Sequence, residues 1–150
     1  MKIHSGVILL VIAALTAFAT ALAHTSCIYL GPECYAAQMA PPEVVESAKA
    51  GSLLAPIGTL FVSAIFVIMG CYALSAASII KALPKLSIVV YTISFICIVR
   101  GILPIQLWFR YPEKVSDPIL YVGLAWLIVG LFYFFGYSKT RKLQRASNSQ

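Results

Sequence analysis

Residues 53–80 read LLAPIGTLFVSAIFVIMGCYALSAASII, 28 positions without one charged side chain. A helix crosses the roughly 30 Å hydrocarbon core of a bilayer with about 20 apolar residues, so an uncharged run of this length reads as a span. It is longer than a crossing requires, which predicts tilt or a first turn outside the hydrocarbon near Pro56. Ser63, Gly70, Cys71, Ser75, Ala76 and Ala77 keep parts of it narrow enough for a second helix to approach closely.

The pattern recurs on both sides. Residues 6–23 are an uncharged apolar run of 18, long enough to span. The run ends in Ala21-Leu22-Ala23, which also fits a signal-peptidase site, so a cleaved leader competes with a retained helix. Retention is the favoured reading, because a usual leader core holds only about 7–15 apolar residues. Ala13, Ala17 and Ala21 also fall four apart, on one small-residue face. Residues 86–108 make a third run, interrupted by one arginine, and residues 118–137 an aromatic-rich fourth. The expected fold is an all-α membrane protein: an antiparallel bundle of four transmembrane helices with a basic tail at 138–150, helical for a turn or two.

Composition agrees. Of 150 residues 61% are hydrophobic and 11% charged, and the mean hydropathy is +0.92. Water-soluble domains lie near 45–50% and about 25%, respectively. The net charge of +6 is scattered through short loops and gathered in the tail. It is not interleaved with aromatic residues on a soluble face, which argues against a nucleic-acid partner.

The same charges orient the chain. The N-terminus, the turn Lys81-Ala82-Leu83-Pro84-Lys85 and the tail carry seven lysines and arginines, whereas the two intervening loops carry three beside all five acids. That positive-inside bias puts both termini in the cytoplasm and residues 24–52 and 109–118 outside.

The outer connection 24–52 holds Cys27 and Cys34, three glutamates and one lysine. Tyr29-Leu30-Gly31-Pro32 reads as a turn. Residues 42–50 read as a short external helix, with prolines at its start, acids in its first turns, and Lys49 and Gly51 near its end. In an oxidising compartment Cys27 and Cys34 form a structural disulfide that staples this connection. The alternative is a redox pair passing electrons from thiols to quinone. Against it, the spacing is not Cys-x-x-Cys and residues 109–118 contain no cysteine to relay with. Cys71 and Cys97, in apolar company, read as packing residues.

Arg100 is the sharpest candidate for a functional group. A guanidinium inside a span costs at least about 2.5–3.5 kcal/mol unless it snorkels or is paired. Pro104 cannot donate to the carbonyl of Arg100 and Gly101 weakens the same turn, so a helix kink is expected there. No acid lies in any of the four runs. A protein counter-charge must therefore come from the outer connection, where Glu46 or Glu43 is the natural choice. Three readings stand together: a buried ion pair that pins the external helix, capture of a phosphate, carboxylate or quinone oxygen, and simple snorkelling.

His24 lacks companions for a metal site and reads as an interfacial histidine. No Gly-rich phosphate loop, paired intramembrane carboxylates or His-x-x-x-His pattern occurs, so the usual grounds for an enzyme or a proton-coupled pump are missing, and no cofactor is expected. Gly123 and Gly130 are seven apart on one face of the last run, with Gly136 close to that stripe. They read as helix-packing positions, or as an oligomer contact.

The segment Ala40-Pro41-Pro42-Glu43-Val44-Val45-Glu46-Ser47-Ala48-Lys49-Ala50-Gly51-Ser52, followed by Tyr72-Ala73-Leu74-Ser75, Leu83-Pro84 and Val99-Arg100-Gly101, resembles a group of small, uncharacterised four-span bacterial inner-membrane proteins. The resemblance covers about residues 35–105. It implies the bacterial inner membrane and attention to Glu46 and Arg100, and it implies no activity. Two roles follow from the residues. One is a small non-enzymatic subunit that binds a homo-oligomeric or larger membrane complex through its glycine and alanine faces. The other is a binding or transport module whose outward Arg100 pocket takes an anionic lipid, quinone or small solute.

Overall fold

The computed structural model describes residues 4–147. Among them the secondary structure is helical throughout: α1 Ser5–Leu30, α2 Pro32–Ala37, α3 Pro42–Lys49, α4 Leu54–Ala76, α5 Leu86–Arg110 and α6 Asp117–Ser147, with a 3-10 turn at Pro112–Lys114. α1, α4, α5 and α6 are each long and apolar enough to cross a membrane.

Helix ends depart from the hydropathy reading at three places. α1 does not stop at Ala23 but continues to Leu30. Its polar residues bond back onto their own helix: the hydroxyl of Thr20 donates to the Thr16 carbonyl at 2.8 Å, Thr25 to Ala21 at 2.6 Å and Ser26 to Ala23 at 2.8 Å. Polarity alone therefore does not end the helix; Gly31, at φ 83°, does. What reads as a long loop is largely three helical pieces. α4 stops at Ala76 rather than at residue 80, because Ser78 turns left-handed at φ 60° and the Ile79 amide reaches back to the Leu74 carbonyl at 3.0 Å. Finally, α6 carries its basic tail as helix to Ser147.

The chain divides into two compact units, residues 1–14 with 71–150 and residues 15–70. α1 and α4 each pass from one unit into the other.

In the first unit α5 packs on α6. The hydroxyls of Ser87 and Tyr137 are 2.6 Å apart, those of Tyr91 and Ser138 3.2 Å, and Ser94 donates to the Gly130 carbonyl at 2.8 Å. Further along the pair, Gly101 meets Leu127 and Pro104 meets Gly123. Glycine sets their separation. A Cβ built on Gly101 would stand 2.6 Å from the Leu127 backbone nitrogen, and one on Gly130 2.9 Å from the Ile98 nitrogen. The first turns of α1 meet α6 in the same way, since a Cβ on Gly6 would lie 2.8 Å from the Gly136 carbonyl oxygen. Leu10, Ala13, Val90 and Tyr133 are fully buried. The link from α4 to α5 is tied by Ser75, whose hydroxyl donates to the Lys81 carbonyl at 3.1 Å and accepts the Leu83 amide at 2.9 Å.

In the second unit the remainder of α1 lies against the start of α4. Ser63 donates to the Ala21 carbonyl at 3.3 Å, and Gly70 accommodates the Phe18 ring. Ala17 is fully buried. Cys27, Tyr35 and Ala55 form a small core packed by Cys34, Ala40, Val44, Val45 and Ala48. Ser47, buried on α3, accepts the Ala55 amide at 2.9 Å and so ties α3 to the first turn of α4.

Candidate functional site

Arg100 lies ten residues before the end of α5, about 15 Å from it at ~1.5 Å per residue. Its side chain is exposed, and so are Ile96, Val99, Leu103 and Leu107. Spacings of three, four and seven place these residues on one helical face. The opposite side of α5, with Val90, Ser94, Cys97 and Gly101, is buried against its own unit. The face is thus a continuous apolar stripe carrying one permanent cation.

Gly101 and Pro104, where a kink is expected, have a packing role. Gly101 is buried where Leu127 crosses, and the Pro104 ring lies where a Cβ on Gly123 would stand, at 2.9 Å. α5 is continuous through Pro104. The missing amide leaves the Arg100 carbonyl without its intrahelical donor.

Glu43 and Glu46 are both exposed on α3. They belong to the second unit and Arg100 to the first. Gly123 and Gly130 both face α5, at Pro104 and at Ile98, and Ala13 and Ala17 are both fully buried on α1.

Cys27 and Cys34 stand at disulfide distance, with their Cα atoms 5.1 Å apart. The bond closes the turn between α1 and α2. Cys27 is 1% exposed and lies in the small core, whereas Cys34 is half-buried. The Gln38 side-chain amide donates to the Cys27 sulfur at 2.9 Å and to the Ala23 carbonyl at 2.6 Å. Cys71 and Cys97 are free thiols. The His24 ring is 5.3 Å from that of Phe66, and its Nδ1 lies 2.9 Å from the Thr20 carbonyl. Among the described residues no three His, Cys, Asp or Glu side chains gather as a metal site. An apolar groove of about 670 Å³ lies between α1 and α4, lined by Phe18, Leu22, Leu60 and Val67.

Two features escaped the sequence reading. The hydroxyl contacts between α5 and α6 were encoded in Ser87, Tyr91 and Ser94, spaced four and three apart and hence on one face. The part of Gln38 at the disulfide had no signal, since it depends on α2 folding back over α1.

Comparison of the chain with protein-family models, curated proteins and solved structures finds no match.

Proposed function

We propose that this chain is a non-enzymatic subunit of a bacterial inner-membrane assembly, spanning the bilayer four times as an antiparallel bundle with both termini in the cytoplasm. Four long apolar helices support the spans. Within the most apolar 18-residue window of each, only 22% to 39% is buried. So much outward apolar surface is stable in hydrocarbon and not in water. The orientation rests on the seven-to-three division of basic residues.

The observation that carries the subunit reading is the exposed stripe of α5, apolar except for Arg100. Lipid chains solvate the apolar residues of such a stripe but offer the guanidinium nothing, whereas a protein carboxylate neutralises it and fixes register. In this reading the counter-charge is Glu46 of the external helix, with Glu43 as its neighbour, and the assembled partner covers the pair.

Native mass spectrometry after gentle extraction tests the role. The wild-type protein is expected to carry a second membrane protein or a further copy of itself, and Arg100→Leu to be released as a monomer. An Arg100→Leu variant that keeps its partner would remove the reading. A double-mutant cycle on thermal stability with Glu46→Gln and Arg100→Gln isolates the ion pair. A coupling of about 0.5–3 kcal/mol is expected, and strict additivity excludes Glu46 as the partner.

A further inference from the structure

The exposed side of α6 changes character along its length in a way the partner stripe on α5 does not. At 3.6 residues per turn, successive side chains rotate by about 100°. Ile128, Leu131, Phe134 and Phe135 then share one face with Lys139, Arg141, Lys142 and Arg145, within an arc of roughly 160°. The four apolar side chains are exposed, as are Lys139, Lys142 and Arg145, while Arg141 is half-buried. The other side of the helix, with Val129, Tyr133, Gly136, Tyr137 and Thr140, is buried in the unit.

The geometry of the tail supports this division. α6 has 31 residues, about 46 Å at ~1.5 Å each. A hydrocarbon core of about 30 Å leaves some three turns outside, the length of the basic segment. That segment is held in place: Thr140 is 2% exposed where α1 begins, and the Gln144 side-chain amide donates to the Ser78 hydroxyl at 2.7 Å. Ser78 starts the turn that bears exposed Lys81 and Lys85. None of the five acids is near these residues in sequence; Glu113 and Asp117 flank the other ends of α5 and α6.

We infer that this face of α6 is a docking surface for an anionic phospholipid of the surrounding leaflet. Its acyl chains lie along Leu131, Phe134 and Phe135, and its phosphate oxygens accept from Lys139, Lys142 and Arg145. Charge complementarity selects the headgroup, because each lysine or arginine at such an interface attracts anionic lipid. The aromatic and leucine side chains select a lipid over a free phosphate, since they offer apolar surface that only a chain covers.

The test uses the full-length protein, stripped of lipid in an uncharged detergent and titrated with dioleoyl phosphatidylglycerol or dioleoyl phosphatidylcholine, with bound lipids counted by native mass spectrometry. Phosphatidylglycerol is expected to bind about tenfold more tightly. Lys139→Gln/Arg141→Gln/Lys142→Gln/Arg145→Gln should bring the two lipids within about twofold, while Arg110→Gln at the far end of the unit leaves the preference intact. If the fourfold variant fails to fold, Lys142→Gln/Arg145→Gln alone should still lower the preference. No preference in the wild type, a preference that survives the tail substitutions, one lost equally in Arg110→Gln, or displacement of the lipid by equimolar glycerol phosphate would each overturn the site. The inference rests on the membrane-spanning reading, which carbonate washing tests separately. Release of the protein by carbonate sinks that reading, whereas a retained protein without lipid preference sinks only this site.

Discussion

At Gly101 a single missing side chain fixes how closely two helices approach. The space a methyl group would need is taken by the Leu127 backbone, nitrogen and Cα alike within 2.7 Å. Backbone cannot rotate away as the tip of a side chain can. Gly101→Ala is therefore expected to destabilise the protein by about 1–3 kcal/mol, the usual penalty of overpacking, read as a lowered Tm in detergent. Gly58 on α4 is the internal comparison, since a Cβ there meets nothing within 4 Å. Gly58→Ala should be neutral or stabilising by up to about 1 kcal/mol, from helix propensity alone. Equal effects at the two positions would refute the packing argument. The glycines of the last run were legible as a small-residue face, but the partner of Gly101 was not. Hydropathy identifies a narrow face without saying what crosses it.

Among the elements, α2 and α3 depend most on one covalent link. α2 has six residues and α3 eight, too short to persist alone in water. Their support is the small core around Cys27, Tyr35 and Ala55, with Tyr35 further tied through the Thr59 hydroxyl at 3.3 Å. A cross-link over so short a loop restricts the unfolded chain by about 2–3 kcal/mol. Cys27→Ser/Cys34→Ser is accordingly expected to lose protection of the amides in residues 32–49 in hydrogen exchange, while α5 and α6 keep theirs. Unchanged protection there would show that the packing suffices without the bond. The short helix expected at 42–50 was readable from its prolines, acids and terminal glycine, and α3 occupies Pro42–Lys49. α2 was not, because Glu33-Cys34-Tyr35 carries no periodic apolar pattern and is held by tertiary contacts. The end of α1 was misplaced for a related reason: threonine and serine hydroxyls that signal a loop in water bond instead to the preceding turn.

Over the whole molecule, four apolar helices and the distribution of charge were both open to inspection in the sequence, because each follows from local composition. Which faces remain outward was not. The exposed stripe around Arg100 and the aromatic-to-basic face of α6 depend on which sides the helices bury against one another. Arg100 is the case in point. Its position in the run marked it as costly, and only the packing of α5 shows that the cost is left uncovered by its own unit. Arg100→Lys, which keeps the charge and loses the bidentate fork, should weaken the proposed assembly less than Arg100→Leu does, measured as the fraction of complex surviving extraction. A lysine variant as dissociated as the leucine variant would show that fork geometry, not charge, holds the partner.

The contacts of Gly6 and Ser5 with the far end of α6 bear on how the protein is made. Lys139 donates to the Ser5 hydroxyl across 134 positions of chain. At about 5–20 residues per second a ribosome takes roughly 7 to 27 seconds to deliver that partner. Through that interval α1 offers the groove at Gly6 and Leu10 with nothing in it. α1 is made well before the helix that completes its packing, so a chain interrupted before α6 would present biogenesis factors and proteases with an unfilled face on α1.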